Sequence, residues 1–278
     1  MAQLSKDPVG AGDLAQFVSE RSDFAFEMQI LRILRGAQFT CSHSGTYRDP
    51  VTDKIRQYDI RAVCVSGRMR LALAVECKNL QDNSPLLLSA VPRSASESFH
   101  HVLHTPRDAI RTTTRAMTDN DAFYKAGQMV GKQTDQVGKD TTGRLVSDDQ
   151  ATFDKMNQAV NSCADFVKDF GIGTSDLMTV IVPVLVIPSN RLWQVEYDTD
   201  GHLKQNPVPQ SRGTLFLDHS WSAGSERLGY VNFRISHLEC VTSDALKSWV
   251  DSCFAFDGLF PRPPNTNWSR RAQRSVRS

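Results

Sequence analysis

At 278 residues, 40% hydrophobic and 23% charged, the chain can bury one substantial core and is neither low-complexity nor collagen-like. A formal net charge of +1 excludes a global basic field, and the longest apolar run, residues 177–188, is too short to span a bilayer. The six cysteines (Cys41, Cys64, Cys77, Cys163, Cys240, Cys253) form no C-x-x-C pair, and the N-terminus shows no signal-peptide pattern. The expectation is a reducing, cytoplasmic protein that does not sit in a membrane.

Residues 1–22 read as an N-terminal lead-in, loose over 1–12. A helix is predicted from about Asp23, where Phe24, Glu27, Ile30, Leu31 and Leu34 recur at helical spacing and Gly36 marks the end. Residues 37–43 suit a first strand, and Tyr47 to Lys54 a polar turn. Two strands follow, about Arg56 to Val65 and Arg68 to Lys78, with Ser66-Gly67 as the hairpin turn. Ser84 to Pro92 is expected to be extended. Ser94 to His104 reads as a short helix, capped by Ser94 with Glu97 three residues on. Helical pieces are expected around 108–117 and 121–137.

A long helix is predicted over Ser147 to Phe170, with Phe153, Met156, Val160, Cys163 and Val167 as its apolar stripe. The run 177–187 has the pattern of a strand covered on both faces, although Pro183 argues for an edge or a bulge. Further strands are expected at 191–197, 213–218 and 230–241, then a helix over Asp244 to Phe254. This order predicts an α/β domain over residues 23–260, with a mixed central sheet flanked by helices and extra C-terminal strands. Residues 261–278 carry Arg262, Arg270, Arg271, Arg274 and Arg277 and no acid, and read as a basic disordered tail. Without those five charges the formal net charge of +1 becomes −4.

The hairpin carries the chemistry. In Arg70-Leu-Ala-Leu-Ala-Val-Glu-Cys-Lys78, alternation puts Leu71, Leu73, Val75 and Cys77 on one face and Ala72, Ala74, Glu76 and Lys78 on the other. With a two-residue Ser66-Gly67 turn, Asp59 pairs with Ala74, and Glu76 becomes its diagonal neighbour at about 7–8 Å. Asp59, Glu76 and Lys78 then share one surface. Two carboxylates that close repel unless a cation sits between them, and Mg2+ (or Mn2+) suits such oxygen ligands. A lysine beside them could hold the attacking water and offset charge developing on a phosphate.

Asp59 followed by Glu76-Cys77-Lys78 resembles the D…E-x-K signature of the PD-(D/E)XK nuclease superfamily, the restriction-endonuclease-like fold, whose core is an α-β-β-β-α-β unit. Tyr58 stands where the family name has proline. Phe26-Glu27, followed by Gly36, resembles the first-helix glutamate of archaeal Holliday-junction resolvases and methyl-directed restriction nucleases. Gln158 matches the glutamine of some branches, with Ser162 where their Q-x-x-x-Y motif has tyrosine. The resemblance covers residues 23–80 well and 148–188 loosely. It implies Asp59, Glu76 and Lys78 as catalytic residues, Glu27, Asp59, Glu76 and Cys77 around the metal, and DNA as substrate.

Arg61 and Arg93 are candidates to meet phosphates, together with Gln158. His100 and His104 have the i, i+4 spacing of a metal pair, but a surface or core-edge cluster is the favoured reading. The alternative to an endonuclease is a nucleic-acid-binding or protein-interaction subunit of a defence or recombination complex, inactive alone. A protein partner or a homodimer fits either reading.

Overall fold

The computed structural model describes residues 7–20, 22–105, 112–118, 123–170, 177–225, 229–255 and 258–260. Two helices open it, α1 (Ala11–Glu20) and α2 (Phe24–Gly36). There follow β1 (Thr40–His43), β2 (Thr46–Arg48), β3 (Ile55–Gln57), β4 (Ile60–Ser66), β5 (Met69–Cys77) and β6 (Leu86–Pro92). A single 3-10 turn, Ala95–Glu97, leads to β7 (Phe99–Thr105), β8 (Thr113–Thr118), β9 (Met129–Lys139) and β10 (Leu145–Ser147). The long helix α3 (Gln150–Phe170) precedes β11 (Leu177–Ile187), β12 (Leu192–Tyr197), β13 (Leu203–Gln210), β14 (Arg212–Ser225), β15 (Gly229–Thr242) and α4 (Leu246–Cys253).

The architecture is α/β, with one large mixed sheet. Its path runs β1-β4-β5-β11-β15-β14-β9-β6-β12-β13, with β10 on β9, and β7 joining β11 to β8. The β1–β4 and β4–β5 pairs are antiparallel, whereas β11 is parallel to both β5 and β15. Strands β2 and β3 form a separate hairpin.

The alternating pattern of β5 explains the layering. Leu71, Leu73, Val75 and Cys77 pack with Ile30 and Leu34 of α2 and Trp249 and Val250 of α4. Ala72 and Ala74, on the other face, pack with Cys163, Phe166 and Val167 of α3. The small alanines let α3 lie close to the sheet. Further along, Leu185 and Ile187 meet Met156, Ala159 and Val160 of the same helix. Each face of the central strands is therefore dry, which accounts for the near-continuous apolar runs of β5 and β11.

Several expectations are corrected. The N-terminal lead-in carries a helix over residues 11–20, of which 11–12 were expected to be loose, with Leu14, Phe17 and Val18 of α1 exposed. The Ser94–Glu97 capping box is present, but it closes one turn only, and the chain then extends as β7. The described parts of 108–117 and 121–137 hold strands β8 and β9, with turns before β9, and no helix. Gly131 and Gly138 lie in β9, where glycine weakens a helix, and a Cβ at Gly131 would collide with Leu88 of the paired strand β6. Strand β13 was not foreseen. The basic tail, 261–278, lies outside the described residues.

Pro183 is not on an edge strand. On the side of β11 away from β5, residues Leu177–Thr179 pair with β7 and Val184–Ile187 pair with β15. Pro183 falls in the seam between those two partners, where a missing N–H breaks no ladder on that side. The sheet forks there, and Ser236 of β15 bridges the fork by donating to the Phe99 carbonyl at 2.8 Å.

Candidate active site

The β4–β5 hairpin turns at Gly67-Arg68, since Ser66 pairs with Met69. Gly67 takes a φ of 60°, a left-handed conformation that glycine adopts without steric cost. The register is thus two residues from the expected one. Arg61, not Asp59, pairs with Ala74, and Ile60 pairs with Val75. A shift of two preserves side-chain parity. One step beyond the ladder, Asp59 consequently comes directly across from Glu76 rather than diagonal to it.

Hydrogen bonds lock this pair. The Asp59 main-chain N–H donates to Glu76 Oε1 at 3.3 Å, and the Cys77 N–H donates to Asp59 Oδ2 at 2.8 Å. Glu76 is 1% exposed and Asp59 9%. The cation between them is Lys155 of α3. Its Nζ donates to Asp59 Oδ1 and Oδ2 at 2.7 and 2.6 Å and to Glu76 Oε2 at 3.1 Å. Burial and the neighbouring Asp59 carboxylate push the Glu76 pKa well above the ordinary carboxylate range, with Lys155 opposing them. Burial also works against the Lys155 ammonium, but the Glu76 and Asp59 carboxylates outweigh it and raise its pKa. Burial dominates the Glu76 shift, whereas the two carboxylates dominate that of Lys155. The notch is negative and retains positive charge.

Lys78 does not take this position. Strand β5 ends at Cys77, so the alternation that would keep Lys78 on the Glu76 face stops. Its N–H donates to the Val186 carbonyl, and its ammonium lies 3.8 Å from Asp23 Oδ2 at the start of α2. Asp23 Oδ1 accepts from the Asn79 N–H, so this aspartate ties α2 to the end of β5.

Glu27, in the first turn of α2, is paired with His43 Nε2 at 2.8 Å. The Cys77 side chain faces the α2 and α4 core, opposite Glu76, so its contribution to the notch is its main-chain N–H and not its thiol. Burial, then Asp59, Glu27 and Glu76, push the Cys77 thiol far up. Three carboxylates therefore act on one point at the end of β5.

The other candidates are placed as follows. Arg61 donates to the Ser162 carbonyl and to Asp165 Oδ2 at 3.3 and 3.2 Å, with its guanidinium over Tyr58 and Phe166. It clamps α3 to β4. Gln158 lies one turn from Lys155, and its carbonyl accepts from the Tyr47 hydroxyl at 3.5 Å. Asp49 Oδ2 accepts from Asn161 Nδ2 at 3.0 Å, giving the β2–β3 hairpin a second hold on α3. These contacts set the height of α3, and hence where Lys155 reaches.

Arg93 is 4% exposed and is not at the notch. Its Nε donates to His237 Nε2 at 3.1 Å and its Nη1 to the Lys125 carbonyl at 2.9 Å. His237 and Glu239 share the β15 face of Val241, which packs in the α2 and α4 core, so Arg93 lies on the opposite side of the sheet from Glu76. There Tyr124 stacks on His237 and Arg212 grips Glu239 through two hydrogen bonds of 2.7 and 2.8 Å. His100 and His104 lie on strand β7, four residues apart and so about 13 Å apart along it. They cannot share an ion. His100 is buried, with Nε2–H donating to the Leu259 carbonyl at 2.6 Å.

Lys155 escaped the sequence reading. The available signal was a lysine within the buried stripe of α3, one position before Met156 and four before Ala159. A second group, Asp198, Asp200 and His202 in the β12–β13 turn, brings ligand atoms within 4.8 Å of one another. There Asp198 Oδ1 already accepts the N–H groups of Asp200 and His202, and nothing identifies a metal.

No helix of the described residues is long and apolar enough to cross a membrane. No family model matches the chain, and no curated protein or solved structure matches it.

Proposed function

We propose that this protein is a metal-dependent endonuclease hydrolysing nucleic-acid phosphodiester bonds, with DNA as its substrate, on a restriction-endonuclease-like core. One observation carries the reading: Asp59 and Glu76 meet across neighbouring strands at the end of the sheet, with a cation bound to both. Support for the core comes from chain order. Helix α2, strands β1, β4 and β5, helix α3 and strand β11 follow one another as helix, three strands, helix, strand, apart from the inserted elements. The four strands are adjacent in the sheet as β1-β4-β5-β11, which agrees with the α-β-β-β-α-β order implied by the D…E-x-K resemblance.

The donor set fits a hard divalent ion. Two carboxylates, one almost fully buried, converge where a positive charge is already held. Asp59 and Glu76 would hold Mg2+ or Mn2+, with Glu27 nearby as a further acid. A bound ion supplies Lewis acidity toward a phosphoryl oxygen and lowers the pKa of water. The chain's own groups fix the carboxylates. The Cys77 N–H orients Asp59, and the Asp59 N–H orients Glu76, so that neither rotates freely. Lys155 and Lys78 bring positive charge to either side of the end of β5, where a phosphate would approach.

The test is incubation of the purified protein with plasmid and with single-stranded and branched oligonucleotides, with and without Mg2+ or Mn2+, beside Glu76→Ala. Cleavage that needs the metal and disappears in the variant is the expected result. Cleavage undiminished by chelator or by Glu76→Ala refutes the assignment.

The Lys155 contacts favour a second reading. A lysine that satisfies both carboxylates can make the notch a structural ion triad, leaving a nucleic-acid-binding or interaction subunit that works within a defence or recombination complex. Gel-shift affinity with no product under any divalent ion distinguishes that protein from an enzyme.

A further inference from the structure

We propose that Lys155 is an exchangeable counter-ion of the notch: its ammonium and a divalent metal compete for one position between Asp59 and Glu76. This rests on the metal-binding reading of those carboxylates given above.

The geometry leaves room for only one cation. Lys155 Nζ contacts three of the four carboxylate oxygens of the pair, at 2.6 to 3.1 Å. A magnesium ion bonded to the same oxygens would lie about 2.0–2.1 Å from them. An ammonium and a metal cannot both be that close to the same oxygens, because their centres would repel and overlap. Without either cation the notch is destabilised. Glu76 is 1% exposed and Asp59 9%, and two carboxylates withdrawn from water repel strongly when no cation offsets them. Metal binding is therefore an exchange of one cation for another.

Lys155 is built to leave. Its side chain keeps 20% of its surface exposed, on a flexible four-carbon stem. Residues Ala151, Asp154 and Asn157 beside it on α3 are exposed, so the stem borders solvent. The helix itself need not move, since Arg61, Asp49 and Tyr47 hold α3 through Asp165, Asn161 and the Gln158 carbonyl. Lys78, held by Asp23 at the start of α2, is not the group that exchanges.

A resident lysine lowers the apparent metal affinity by the fraction of time that it vacates the notch. If Lys155 is seated nine-tenths of the time or more, its removal strengthens binding by about tenfold or more.

The experiment titrates the full chain with Mn2+, read by calorimetry and by the loss of the free-ion electron paramagnetic resonance signal. The proteins are wild type, Lys155→Met, Lys155→Arg and Glu76→Gln. Lys155→Met should bind Mn2+ about tenfold or more tightly than wild type, and should melt lower than wild type in chelator and recover when Mn2+ is added. Lys155→Arg keeps the charge, and so the fold, and should bind Mn2+ no better than wild type. Binding that Glu76→Gln abolishes but that is equal in wild type, Lys155→Met and Lys155→Arg overturns the exchange and leaves the metal site standing. If no protein binds Mn2+ at a site sensitive to Glu76→Gln, the metal reading itself falls, and the exchange with it.

Discussion

Asp59 and Glu76 face each other one step past the β4–β5 ladder, each fixed by the other's strand: Glu76 Oε1 accepts the Asp59 N–H, and Asp59 Oδ2 accepts the Cys77 N–H. The pair is therefore a property of the hairpin register, and chemistry and stability at Asp59 can be separated.

Asp59→Asn keeps an oxygen for the Cys77 N–H but removes the charge proposed to bind metal, whereas Asp59→Ala removes both. Each should cut metal-dependent cleavage by at least the roughly 100-fold that loss of a mere outer-shell partner can cost. Both variants lose the anion that faces Lys155, but Asp59→Ala should lose about 1–3 kcal/mol more stability than Asp59→Asn, because it also leaves the buried Cys77 N–H unsatisfied. Urea denaturation of wild type and both variants beside a plasmid assay checks this; equal stability of Asp59→Asn and Asp59→Ala would contradict it.

Arg61 joins β4 to α3 through Asp165, the Ser162 carbonyl and the rings of Tyr58 and Phe166. Arg61→Met keeps much of the stem packing and loses the rest. The expected cost is about 1–3 kcal/mol, read as a lower urea midpoint. A midpoint indistinguishable from wild type would show that α3 is seated without this clamp.

His100 gives the fold an acid limit. Its Nε2–H donates to the Leu259 carbonyl, and burial lowers its pKa from 6.5 to about 4. The unfolded chain thus binds a proton that the folded chain refuses between those values. Above pH 6.5 both forms are neutral and the residue has no pH effect. Stability is lost as pH falls from 6.5 toward 4, on the order of 3 kcal/mol from this group alone. Comparison of denaturation midpoints for wild type and His100→Gln across that window tests the claim: the variant should show a shallower loss, and parallel curves would falsify it.

Glu239 is fully buried and doubly bonded to Arg212, whose side chain is 34% exposed. Glu239→Leu leaves a cation facing the core and should cost about 3 kcal/mol. The double variant Arg212→Met with Glu239→Leu should regain most of that, because the uncompensated charge is gone. Additive losses in the thermal melts of Arg212→Met, Glu239→Leu and the double variant, each against wild type, would argue against a coupled pair.

Strong local periodicity was legible without coordinates. The helices α2 and α3, the two-sided apolar run of β11 and the alternation of β5 each appear close to where they were expected, although Phe24 and Phe153, read as part of the two apolar stripes, are exposed. Elements held by distant pairing were not. Strands β8 and β9 are polar and carry no strict alternation, so only their partners β7 and β6 make them strands. Strand β13, equally polar, exists because β12 offers it an edge.

The amino-acid pattern by itself determined an α/β chain with an acid at the end of each of two consecutive strands, because side-chain alternation is a local property of the backbone and survives a two-residue error in the turn. Which cation meets those acids was decided only by tertiary structure. Lys78, two residues from Glu76, turns away to Asp23 once the strand ends, while Lys155, 96 residues beyond Asp59, is carried in by α3. Sequence spacing does not encode the packing of that helix on Ala72 and Ala74, and packing sets the distance across which charges act.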